Sequence, residues 1–225
     1  MATNFSERST YLDNIIYILE LIGTVAFAVS GAVVAIKKET DVFGVVFIAI
    51  TTAVGGGIIR DLLIGNLPPV AFVHYEYVSA ATVTALAIFL FAYIRRDKNH
   101  HQHWEAIDRV NNVFDAIGLG AFTVIGMNTA IVAGLGGNVF LVIFLGMITG
   151  IGGGILRDTL VRDIPFVLTE RIYAVASLVG AICYYVLYWS GVHLVVCALV
   201  GIGVIFAIRM ISSKFRWHLP RVRLQ

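Results

Sequence analysis

Two arginines stand inside apolar sequence that ordinarily excludes them. Gly55-Gly56-Gly57-Ile58-Ile59-Arg60-Asp61 and Gly152-Gly153-Gly154-Ile155-Leu156-Arg157-Asp158 repeat one pattern, GGGxxRD, 97 residues apart, each within a long apolar run. Three consecutive glycines weaken a helix by roughly 1 kcal/mol each relative to alanine, and an arginine at mid-membrane costs about 2.5–3.5 kcal/mol even on a lenient insertion scale. Both features oppose plain insertion, so their recurrence predicts two broken helices that line something other than lipid. The chemistry such breaks offer is ion handling, since freed carbonyls suit cations and freed N–H groups suit anions. Two alternatives attach to the same residues. The glycines can instead let two helices approach closely, and the arginines can snorkel to the interface.

The acids divide by depth. Asp61 and Asp158 directly follow the arginines, and neighbouring side chains on a helix point in different directions, which predicts poor partners. Glu20 shares the outer depth of Arg60 and Asp115 the inner depth of Arg157, which predicts two buried ion pairs, Glu20 with Arg60 and Asp115 with Arg157, bracing the breaks. Thr51, Thr52 and Thr149 are candidate pore hydroxyls near the triplets. With the arginines neutralised, such a route suits cations; with them free, anions or zwitterions fit better.

The elements that position these residues follow from composition. The chain has 225 residues, 59% hydrophobic and 13% charged, with mean hydropathy +0.88, which marks an all-α integral membrane protein. Apolar runs predict seven spans, at about 12–36, 42–65, 72–94, 110–133, 138–161, 168–190 and 192–211. The first ten residues, MATNFSERST, lack the basic start of a cleaved signal peptide. The longest connection, about 95–109, reads as a solvated loop holding His100, His101 and His103. Cys183 and Cys197 lie in apolar runs without CxxC spacing and read as buried reduced thiols; no metal or cofactor is implied. Outside the spans only Arg8 is basic on the side of the N-terminus. Lys37, Lys38, Arg95, Arg96, Lys98, Arg109, Arg162, Arg171 and five residues of the C-terminal region lie on the other side. The positive-inside rule then puts the N-terminus outside and the C-terminus in the cytoplasm, as a multi-pass protein of the plasma (inner) membrane. Nothing in the charge pattern suggests a nucleic-acid partner, and no HExxH, GxSxG, P-loop or Cys/His constellation suggests an enzyme.

The spans themselves repeat. Glu20-x-x-Gly23-x-x-Ala26-Phe27 matches Asp115-x-x-Gly118-x-x-Ala121-Phe122, and Pro68 after the first GGGxxRD matches Pro165 after the second. Residues 12–94 form one unit and 110–190 its copy, followed by an extra span at 192–211 and a basic tail at 212–225. Three spans per unit make the second copy enter from the opposite face, an inverted repeat of the kind transport proteins use.

With paired GGGxxRD motifs in spans two and five, a three-plus-three repeat and a seventh span, the chain resembles the trimeric intracellular cation channel family in its short prokaryotic form. Many bacterial members carry the label glycine transporter. The resemblance covers about residues 12–211 and implies a homotrimer with one pore per subunit, passing potassium, sodium and other monovalent cations across the lipid bilayer. It also implies that Gly55, Gly56 and Gly57, and Gly152, Gly153 and Gly154, are kinks at the constriction. A secondary transporter of a small zwitterion such as glycine is the competing reading. Leucine at Gly56 and Gly153 is expected to plug the route while leaving the folded oligomer intact.

Overall fold

The computed structural model describes residues 2–95, 100–169, 172–215 and 217. Among these the regular structure is helical. The order is α1 Ala2–Lys37, α2 Val42–Ile64, a short α3 Val70–Val73, α4 Tyr75–Ile94, α5 His100–Ala130 with a π-turn at Ile131–Leu135, α6 Val139–Leu160, a short α7 Phe166–Thr169, α8 Ala174–Trp189 and α9 Leu194–Lys214.

Helix starts follow capping chemistry. The Asp41 carboxylate accepts from Gly44 N at 2.7 Å at the start of α2, and Asn138 Oδ1 accepts from Leu141 N at 3.1 Å at the start of α6, each satisfying a donor that the first turn leaves open. Six stretches are long and apolar enough to cross a bilayer: Asn14–Lys37, Val42–Ile64, Tyr75–Ile94, Ile107–Leu135, Val139–Leu160 and Leu194–Lys214. The stretch expected at 168–190 differs. Its helix α8 has 16 residues, about 24 Å of rise against about 30 Å of hydrocarbon, because the preceding segment is taken up by the separate turn α7. Span three is trimmed in the same way, α3 standing apart from α4. The histidine segment is also corrected: from His100 onward the backbone already belongs to α5.

At the centre lie α1, α2, α5 and α6. Helix α1 packs on α2 and α5, α2 on α6, and α5 on α6. Helix α4 leans on α1 and α2 as α8 leans on α5 and α6, while α9 covers α5 and α8. Small residues make this packing possible: Ala28, Ala32, Ala35, Ala49, Ala81 and Ala85 are fully enclosed, as helix association in lipid depends on close approach where no hydrophobic drive exists. Phe27 and Phe122 meet at 5.2 Å between ring centroids. Gly23 sits under Phe122 and Gly118 under Phe27, so the matching motifs of α1 and α5 pack against one another reciprocally. Long apolar side chains such as Phe43, Phe72, Val83, Phe91 and Phe140 point outward, a rim suited to lipid tails. Cys197 is buried and Cys183 half-buried, both as free thiols.

Candidate functional site

The glycine triplets sit where α2 crosses α6. Gly55, Gly56, Gly152, Gly153 and Gly154 are buried and Gly57 is half-buried. Contrary to the expected break, each helix runs unbroken through its triplet. The reason is closeness. A Cβ on Gly56 would fall on the Thr149 carbonyl oxygen, one on Gly153 would fall on the Thr52 carbonyl oxygen, and one on Gly152 would lie 3.1 Å from Gly56 Cα. The helix interaction that this contact brings offsets the weak propensity of glycine. The first two glycines of each triplet therefore serve close packing, the alternative that the sequence left open.

The threonines share the crossing. Thr52 Oγ1 and Thr149 Oγ1 each donate back to their own helix, to Ile48 O and Leu145 O, both at 2.6 Å. Their hydroxyl protons are thereby engaged within the helix, while Thr51, the residue before Thr52, lies half-buried.

Neither arginine snorkels. Arg60 and Arg157 are each only 3% exposed, and each is held by the aspartate that follows it: Arg60 Nε donates to Asp61 Oδ1 at 2.9 Å and Arg157 Nε to Asp158 Oδ1 at 2.8 Å. The expectation that adjacent residues pair poorly is corrected here. The arginine stem is long enough to fold the guanidinium back over the helix, and the carboxylate is fixed from its other side. Asp61 Oδ2 accepts from Val70 N at 2.9 Å and Asp158 Oδ2 from Phe166 N at 2.7 Å. Each aspartate thus ties its arginine to the short helix beyond it, which explains why spans three and six begin late.

The two expected cross-helix pairs part company. Arg157 meets Asp115 at 3.0 Å as predicted. Ser30 Oγ accepts from Arg157 at 2.5 Å and donates to Asp115 at 3.4 Å. Arg209 of α9 adds a second cation 3.7 Å from Asp115 Oδ2, donates to Asn112 Oδ1 at 2.7 Å and lies 4.5 Å from the centroid of the Tyr173 ring. Glu20 forms no ion pair with Arg60. Its carboxylate accepts instead from the Tyr77 hydroxyl, while two guanidinium nitrogens of Arg60 are spent on Asp61. Glu20 and Arg60 do share the wall of one small cleft of about 30 Å³, together with Thr24, Gly57, Asp61 and Tyr77.

Sequence reading missed Arg209, Ser30, Tyr77 and Tyr173. Arg209 was grouped with the basic tail, although its place within the last apolar run was a signal; at 1% exposure it is an interior residue. The near-equivalent positions of Tyr77 and Tyr173 in the two units were a second signal. Ser30 carried none, as its counterpart in the copy, Ile125, is apolar. Chemically, every described guanidinium inside the bundle has a carboxylate partner, which weakens the repulsion that bare arginines exert on cations.

Comparison with known proteins places this geometry. A family model described as glycine transporter matches twice, over residues 17–93 and 112–189. The UPF0126 inner membrane protein YadS of Escherichia coli (strain K12) is 38% identical over 208 residues, 91% of this chain and 94% of its own. The UPF0126 membrane protein YvgT of Bacillus subtilis (strain 168) is 38% identical over 207 residues, 90% of this chain and 94% of its own. Among solved structures, one from work on conductance through TRIC cation channels is 36% identical, covers 92% of this chain and 97% of its own, and superposes with a TM-score of 0.79. The TRIC trimeric intracellular cation channel orthologue from Rhodobacter sphaeroides is 32% identical, with 90% and 99% coverage and a TM-score of 0.81.

Proposed function

Because this chain belongs to the family that joins the glycine-transporter model, the UPF0126 membrane proteins and the TRIC cation channels, we propose that it is a channel for monovalent cations, potassium among them. The observation that carries the reading is the neutralisation of both intramembrane arginines on the helices that cross at the triplets. Cations passing beside that crossing meet aspartate-compensated guanidinium groups. The crossing itself is closed, backbone against backbone at Gly56 and Gly153, so the route runs beside it and not between the two helices.

The same proposal covers the finer architecture. Helix α8 with its leading turn serves as a short sixth span, making seven. The units 12–94 and 110–190 are oppositely threaded, a relation supported by contacts that exchange under the repeat: Gly56 on Thr149 becomes Gly153 on Thr52, and Phe27 on Gly118 becomes Phe122 on Gly23. The chain sits in the inner membrane with its N-terminus outside and its basic C-terminus in the cytoplasm, three copies assemble, and each holds its own route.

Potassium flux tests the function. Purified protein in liposomes, with only a potassium gradient, is expected to release potassium and to do so without any counter-substrate. Saturable uptake of labelled glycine with no gradient-driven potassium flux would replace this reading with the zwitterion carrier.

A further inference from the structure

The two halves differ in charge although they match in fold. In the second unit Asp115 and Asp158 face Arg157 and Arg209, two acids against two bases. The second base comes from α9, which has no counterpart in the repeat. In the first unit, among the described residues, Glu20 and Asp61 face Arg60 alone. The hydrogen-bond partner of Glu20 is a neutral hydroxyl, that of Tyr77. Close by, His74 is engaged at 3.0 Å with a third acid, Glu76, and so is not a spare base. With Glu20 ionised, one negative charge is left over beside the cleft, and a half-buried carboxylate without an ion partner is costly.

The cleft is matched to one kind of occupant. Glu20 and Thr24 are four residues apart on α1 and share a face. With the Tyr77 hydroxyl they put oxygens on a wall otherwise closed mainly by apolar residues such as Ala53, Val54 and Phe122. Its volume of about 30 Å³ corresponds to roughly two waters, too little for a glycine zwitterion and enough for a small ion that keeps a water. The second carboxylate on the wall, Asp61, is already engaged by Arg60 and by Val70 N, so the cleft offers one free negative charge, which matches a monovalent cation better than a divalent one.

We infer that the cleft between Glu20, Thr24 and Tyr77 is a binding site for one monovalent cation, which supplies to the first unit the charge that Arg209 supplies to the second. This deepens the channel reading by naming where a cation is held, yet it is read by binding and does not require flux.

The test uses purified full-length protein in detergent. Thermal melts in potassium chloride are compared with melts in N-methylglucamine chloride at equal ionic strength, and crystals of the wild-type chain are soaked in thallium(I) as a potassium mimic. The expected result is a saturable upward shift of the melting temperature with potassium. That shift is lost in Glu20→Gln, which keeps an acceptor for Tyr77, and a thallium peak touches the Glu20 carboxylate. A potassium shift of wild-type size in Glu20→Gln, or thallium crystals without a peak at Glu20, overturns the site. The crystal arm decides even where the variant fails to fold. Flux without the peak removes the site and leaves the channel; the peak without flux removes the channel and leaves the site.

Discussion

Arg157→Ala is expected to lower stability by about 3–5 kcal/mol, the penalty for stripping one partner from a buried ion pair. The loss falls on three groups at once. Asp158 loses its 2.8 Å partner, Asp115 its 3.0 Å partner, and Ser30 the donor at 2.5 Å. Arg209 stands 3.7 Å from Asp115, so it screens part of the orphaned charge without restoring the hydrogen bonds. The matched control is Lys38→Ala, which removes an exposed pair with Asp163 and is expected to change stability by no more than about 1 kcal/mol. Denaturation in detergent micelles, followed by circular dichroism, checks both. Equal effects for the two variants would mean that the interior cluster contributes no more than a surface contact.

The second large effect separates glycines within a single triplet. Gly56→Ala and Gly153→Ala drive a methyl group into a backbone carbonyl of the partner helix, and a backbone cannot rotate away as a side chain can. Each is expected to destabilise by about 1–3 kcal/mol, the usual range for overpacking. Gly57→Ala and Gly154→Ala behave oppositely. The nearest atoms to their added Cβ are Arg60 Nη2 at 3.7 Å and the Tyr173 hydroxyl at 3.5 Å, ordinary contacts, so the gain in helix propensity of up to about 1 kcal/mol survives. The same melts check all four. The expectation that leucine at Gly56 and Gly153 plugs a route in an intact oligomer gives way accordingly: side chains there prise α2 from α6, and lost flux in such variants reports lost packing.

Much of this fold could be read from periodicity. Six long apolar runs became helices close to their expected bounds, because hydropathy and capping residues such as Asp41 and Asn138 act locally. The duplicated motif, together with Asp115 opposite Arg157, was also legible, since depth along a span follows from residue counting. What stayed hidden depends on which way side chains turn. Counting gave Glu20 and Asp115 the same role, yet Tyr77 captures Glu20 while Arg157 captures Asp115. Spacing on a helix argued against Arg60 with Asp61, and the distant amide of Val70 reversed that by fixing the carboxylate. The glycines were read through their propensity, a local property, whereas their role is set by a helix 97 residues away in the chain.

Central to the account is a cation route running beside the α2–α6 crossing, past Gly57. The most direct measurement places a cysteine there, Gly57→Cys, in a chain whose native Cys183 and Cys197 are replaced by serine, and follows potassium flux in liposomes before and after a cationic thiol reagent. The account predicts that flux falls as Gly57→Cys is modified, while the cysteine-free parent is unaffected. Complete modification, verified by mass, with flux unchanged would contradict it.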